Sequence, residues 1–172
     1  MKVKGSLKGE MIELLDQSVI NDLSQKGYGE RTGNRLILKP YEALYLTDVK
    51  KISISINDKE LSINDLVSLI KKSDKRGWTK YLIYRDLRNK GYVVKEGFGK
   101  GLDFRVYERG QYGEKPAKYV IIALNEGGRI RLEKLRKTID LSLKMGKEPI
   151  LAVVDRRGEV VYYKAFKVMM EL

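Results

Sequence analysis

The chain has 172 residues, no cysteine, no histidine, and 35 Lys and Arg against 23 Asp and Glu, a net charge of +12. Disulfides and thiolate metal sites are thereby excluded, and a metal ion would need a carboxylate cage suited to hard cations. The cationic excess suits a polyanionic partner, because each neutralised phosphate releases condensed counterions; a merely solvated, charged surface is the plain alternative. The longest apolar run, "YVIIAL" at 119–124, is far too short to span a bilayer. The opening "MKVKGSLKGE" has no apolar h-region of a secretory signal. A cytoplasmic location is therefore expected. Absent Cys with many Lys and Glu leans towards a thermophile. At this length the chain forms one large domain or two small ones, and it can bury roughly two thirds of its unfolded surface.

The first 75 or so residues alternate short strands and helices. "NRLILKP" reads as a strand closed by Pro40, and "YEALYL" as a short helical turn. "KKISISIND" alternates at period two, as a strand should, and turns at Asn57-Asp58. Ser62 and Asp65 form a capping box before Ile63, Leu66, Val67 and Ile70, which share a helical face. "KKSDKRG", 71–77, has no apolar residue and reads as a solvated linker. This places an N-terminal α/β domain at 1–75 and a second domain at 76–172.

In the second domain, Trp78 to Lys90 reads as a helix that buries Trp78, Tyr81, Leu82 and Leu87 and stops at Gly91. "YVVKEG" is a strand. "LDFRVYE" turns Leu102, Phe104 and Val106 inward and Asp103, Arg105 and Tyr107 outward. "KYVIIAL" suits a strand covered on both faces. Ile130 to Met145 forms a helix with Leu132, Leu135, Ile139 and Leu143 on one face, ended by Gly146. "EPILAVVD" and "VVYYKAFKVMM" are strands joined by "RRGE". The fold class is α/β (α+β): a small α/β domain, then a mixed central sheet flanked by helices.

Metal-dependent nuclease folds of this shape need an Asp at a strand start and Glu-x-Lys on the next strand. Asp103 meets the first condition, but no later acidic residue is followed two positions on by lysine. Asp103 is better read as a turn or ion-pair residue. Metal-free cleavage of RNA needs a base for the ribose 2′-OH, an acid for the leaving oxygen and a cation for the phosphate. Histidine usually supplies the acid or base, since it titrates near neutrality. Tyr107, at a strand end, and Lys147, at a strand entrance, are the candidates. Taken alone they read more often as an ordinary rim tyrosine and a helix-end lysine that favours the C-terminal dipole.

"YLIYRDLRNKGYVVKEGFGKGLDFRVYERG", with "KYVIIAL" and "KEPILAVVD", resembles the C-terminal domain of the archaeal tRNA-intron endonuclease (tRNA-splicing endonuclease) family. "GYGERTGNRLILKPYEALYL" resembles that family's N-terminal domain, so the likeness covers nearly the whole chain. The resemblance implies a nuclease-like domain and tetrameric assembly. It also implies cofactor-free, metal-independent cleavage of precursor tRNA at bulge-helix-bulge sites, leaving a 2′,3′-cyclic phosphate and a 5′-OH. Catalytic chains of the family use a Tyr-His-Lys triad. By the likeness, Tyr falls on Tyr107 and Lys on Lys147, while the His position is Pro116, which has no proton to exchange. Two arginines that hold a flipped bulge base in catalytic chains fall on Asp140 and Tyr162. The chain thus resembles the non-catalytic structural subunit of a crenarchaeal-type heterotetramer, paired with a histidine-bearing paralogue. An active homomeric ribonuclease using Tyr107 and Lys147, and a stand-alone basic RNA-binding protein, are the alternatives.

The chain closes on an apolar strand with no further strand to cover its edge, so pairing with another chain or burial in its own core is expected. The resemblance favours pairing through the C-terminal strands, which implicates Val160, Tyr162, Phe166 and Val168. It also implies that a loop between the last two strands docks on the opposite dimer. Here that loop is "DRRGE", with Asp155 and Glu159 available and Arg156 and Arg157 diluting the charge.

Overall fold

A computed structural model describes residues 1–170, and these divide into two compact units, Met1–Tyr81 and Leu82 to the C-terminal end. The first unit opens with strands β1 (Lys2–Lys8) and β2 (Met11–Leu14), then helix α1 (Gln17–Gln25), whose first turn is capped by the Asp16 carboxylate accepting from the Ser18 N–H. Strands β3 (Glu30–Thr32) and β4 (Arg35–Leu38) lead to helix α2 (Pro40–Asp48), where Pro40 starts the helix rather than closing a strand. Strands β5 (Ser53–Ile56) and β6 (Lys59–Glu60) and helix α3 (Ile63–Ser73) follow. The sheet order is β3-β4-β2-β1-β5-β6, with β1 and β5 parallel and the other pairs antiparallel. Ile12, Leu14, Ile20, Leu36, Leu38 and Ile54 fill its core.

The expected turn at Asn57-Asp58 is present, with φ +50° and +60°, as a two-residue hairpin with both central residues in the left-handed region requires. The capping box is also present: the Asp65 N–H donates to Ser62 Oγ at 3.1 Å and the Ser62 N–H to Asp65 Oδ2 at 2.9 Å. The stretch 71–77 is not all linker. Lys71–Ser73 are the last turn of α3, and Asp74 accepts from the Arg76 N–H and the Lys80 ammonium.

Helix α4 (Gly77–Asn89) follows in the chain and leads into the second sheet. Strands β7 (Val93–Gly99), β8 (Leu102–Tyr107) and β9 (Tyr119–Asn125), helix α5 (Leu132–Lys144), and strands β10 (Glu148–Val154) and β11 (Val160–Lys164) complete it. The sheet order is β11-β10-β9-β8-β7, antiparallel except for the β9–β10 pair, which α5 connects in parallel. This is the mixed sheet flanked by helices that the sequence predicts. Leu102, Phe104 and Val106 are buried and their neighbours half-buried, as the alternation requires. A bulge bends β7 between Glu96 and Gly99. Gly97 is obligatory there, because a Cβ would lie 1.9 Å from the Leu102 carbonyl oxygen.

Three expectations fail. Trp78 is 43% exposed, in the first turn of α4, with its ring against Tyr81 at 5.3 Å rather than in a core. On α5, Leu132 is 80% exposed and Leu143 is also out, while Thr138 and Ser142 are buried. Each hydroxyl donates to the carbonyl four residues back, at 2.9 Å, which removes the cost of burying it and lets a polar pair face the sheet. Leu135, Ile139, Leu141 and Met145 flank that pair against Leu102, Val120 and Ile122. The last strand stops at Lys164; beyond it, the Ala165 N–H still reaches the Pro149 carbonyl, and 166–170 join no strand.

Candidate functional site

Parallel pairing gathers the candidate residues. Because β10 starts alongside the start of β9, with Glu148 opposite Tyr119, Lys147 arrives next to the loop that feeds β9. Tyr107, the last residue of β8, reaches the same sheet end, since Val106 pairs with Tyr119 and its carbonyl accepts the Lys118 N–H at 3.0 Å. Residues 107, 116 and 147 are therefore brought together from three separate segments.

The loop 108–118 between β8 and β9 is an ordered structure. Its base is clamped by the Glu108–Lys118 ion pair at 2.6 Å, and the Lys118 ammonium holds the Glu108 carboxyl below its usual range. Turns inside it are closed by the Gln111 N–H to the Glu108 carbonyl and the Lys115 N–H to the Gln111 carbonyl. The Tyr112 ring meets Tyr107 edge-on at 5.0 Å, so it braces the tyrosine's ring. Pro116 is exposed and Ala117 buried. Lys147 does not reach into open solvent: its Nζ donates to the Ala117 carbonyl at 2.5 Å, fastening the loop to the entrance of β10. The site thus offers a phenol and an ammonium, with nothing at 116 to carry a proton between enzyme and substrate.

Asp140 and Tyr162 do not join this group. Tyr162 stands opposite Ala152 and donates its hydroxyl to Asp86 of α4 at 2.6 Å, with Lys90 over its ring at 5.3 Å. Burial, and then the Asp86 carboxylate, push the Tyr162 hydroxyl well above the usual tyrosine range. Asp140 lies on α5 and pairs with Lys167 at 3.6 Å. Leu151, opposite Tyr163, belongs to the cluster under α5, so Tyr163 and Val161 share the α5 face and Tyr162 the other. Asp140 and Tyr162 sit on opposite sides of the sheet and cannot clamp one base together.

Asp103 is a strand residue, not a turn: its Oδ2 accepts the Ala123 N–H at 2.8 Å, supplying a ladder bond to β9. Asp155 is committed to its own loop, where Oδ1 accepts the Arg157 N–H at 2.8 Å and the Glu159 N–H at 2.9 Å. Glu159 is the more open carboxylate, facing Arg157 at 3.4 Å. Val160 and Tyr162 of β11 are half-buried against the chain's own sheet, while Val161 and Tyr163 on the strand, and Phe166 and Val168 beyond its end, are exposed. The Glu108–Lys118 clamp and the Tyr112 brace were missed in the sequence; an acid and a base bracketing a loop ten residues apart is their only trace.

Fold and site together define a nuclease-like α/β domain that follows a smaller α/β domain. The sequence model of the tRNA intron endonuclease catalytic C-terminal domain matches residues 77–162, and that of the tRNA intron endonuclease N-terminal domain matches residues 3–67. The tRNA-splicing endonuclease of Methanococcus vannielii is 37% identical over 164 residues, covering 94% of this chain and 92% of that protein. Those of Pyrococcus horikoshii, at 35% with 92% of each chain covered, and of Methanothermobacter thermautotrophicus, at 34% with 95% and 96% covered, are similar along the same length. The chain belongs to the tRNA intron endonuclease family.

Proposed function

We propose that this chain is a structural subunit of a tRNA-splicing endonuclease that removes introns from precursor tRNA, and that a histidine-bearing paralogue does the cutting. One observation carries the reading: there is no histidine in the chain, and the position where the proton shuttle would stand is Pro116. A phenol ordinarily titrates near 10 and is a poor base at neutral pH, while an ammonium stabilises phosphate charge without moving the proton. Losing a positioned acid or base ordinarily costs about two to four orders of magnitude in rate. The engagement of Lys147 with Ala117 supports the same reading, because the amine already has a structural partner. No helix among the described residues is long and apolar enough to cross a membrane, which is compatible with work on tRNA in the cytoplasm.

The test is made in the complex reconstituted with the paralogue. Tyr107→Phe and Lys147→Ala in this chain should leave cleavage of a bulge-helix-bulge RNA nearly unchanged, while the matching changes in the partner abolish it. Pro116→His should not confer activity on this chain alone, because the Lys147 amine would still be engaged by the Ala117 carbonyl. A hundredfold rate loss from Lys147→Ala with the assembly intact would show that this chain's site is in use.

A further inference from the structure

The hairpin joining β7 to β8 and the first half of α5 border an open, cationic pocket of about 470 Å³. Lys100, Arg131, Lys134 and Lys137 line it, together with Glu133 and Thr138. Its walls are fixed to each other. Thr138 is buried, and its hydroxyl donates to the Lys134 carbonyl at 2.9 Å and lies 3.5 Å from that of Lys100. Gly101, at φ +88°, seats the hairpin tip on that threonine, since even a Cβ there would meet Thr138 Oγ1 at 3.1 Å. Lys100 itself holds φ +53°, an uncommon conformation for lysine, which fixes its backbone at the turn over α5.

The charges are not balanced internally. The one acid in the lining, Glu133, is paired with Lys137 at 2.8 Å. Lys100, Arg131 and Lys134 have no acidic partner among the described residues. Three unneutralised cations held around one concavity repel each other and raise a positive potential that an anion would relieve.

We propose that this pocket binds the phosphodiester backbone of RNA, as a contact separate from the Tyr107–Lys147 sheet end. The lining is a spread of exposed lysines and an arginine with no enclosed cage of donors, which suits an extended polyanion better than a single small anion. Its position suits one as well. Along α5, Lys137 precedes Lys144, the last residue of the helix, by seven residues, or about 10 Å at 1.5 Å per residue, and Lys147 follows just beyond the helix end. A strand lying along α5 would therefore meet the pocket and then the loop 108–118. The choice of RNA among polyanions rests on the family reading; the assignment of the pocket rests on its charges.

The experiment measures binding of the full chain to a short synthetic RNA duplex, without any cleavage readout, so it stands or falls independently of the catalytic assignment. Lys100→Gln, Arg131→Gln and Lys134→Gln are combined; all three side chains are exposed, and a thermal melt checks that the fold survives. The expected result is at least tenfold weaker binding and a salt slope shallower by about two to three, given a slope of about 0.9 per phosphate contact. A charge-matched control, Lys71→Gln with Lys72→Gln and Lys75→Gln, should change little. Binding and slope equal to the parent chain's would overturn the proposal, as would an equal loss in the control, which would mean a diffuse field. So would intact RNA binding with lost association to the paralogous chain, which would make an acidic protein segment the occupant.

Discussion

Lys147 shows how a residue placed by a catalytic template can have structural work to do. Its amine bridges from the entrance of β10 to the loop that enters β9, and a hydrogen bond from a charged donor contributes about 1.5–3 kcal/mol. Lys147→Ala should accordingly lower the stability of the isolated chain by about 1–3 kcal/mol in denaturant unfolding, without touching activity in the complex. An unchanged midpoint would mean that the amine points to solvent and is free for chemistry. At this scale the sequence was legible where side chains are apolar and alternate: the burial of Leu102, Phe104 and Val106 followed from period two alone. It misled where hydroxyls replace hydrocarbons, since Thr138 and Ser142 satisfy themselves on their own helix and enter the core without an apolar signature. It misled at Tyr162 for a different reason. A shift of one residue along a strand moves a side chain to the other face, and a template position guessed on a strand carries that risk fully.

Among the elements, β11 bears most on the proposed association. It is an edge strand of five residues, followed by Phe166, Val168, Met169 and Met170, all strongly exposed, Phe166 at 70%. An uncovered strand edge continued by bare apolar side chains favours pairing with another chain. Ending the chain after Lys164 would keep the β10–β11 ladder and remove only this tail. The shortened chain should still fold, with an unchanged circular-dichroism spectrum, yet lose association with the proposed paralogue in native mass spectrometry. Retention of the full complex would exclude the tail from the interface. The existence and order of the C-terminal elements were readable from hydrophobic period and glycine stops. The end of β11 was not, because "YYKAFKVMM" keeps a strand's composition past Lys164, where the facing residue is Pro149, which has no N–H to donate to the ladder.

For the molecule as a whole, a charge of +12 on 172 residues bears on which assemblies can form. Like copies repel each other through the summed field, more so as their number rises and as salt falls. A homotetramer would multiply this repulsion, whereas two copies alternating with a less basic paralogue would dilute it. The chain alone should therefore stay below the tetramer at low salt, and mixing with the proposed histidine-bearing paralogue should give a two-plus-two complex by native mass spectrometry. A stable homotetramer at low ionic strength would refute that expectation.

The parallel pairing of β9 with β10 also governs when the second unit can close during synthesis. Strand β9, buried from Val120 to Ala123, can pair with β8 as soon as it is made, but its other edge must wait for α5 and β10. At about 5–20 residues per second, the roughly twenty-five residues in between take on the order of one to five seconds. For that interval the nascent chain presents an apolar strand with an open edge, the condition in which wrong pairing competes with folding. Slowing elongation between Asn125 and Glu148, for instance with rare codons, lengthens that interval and should lower the soluble yield while leaving the melting midpoint of the finished chain unchanged.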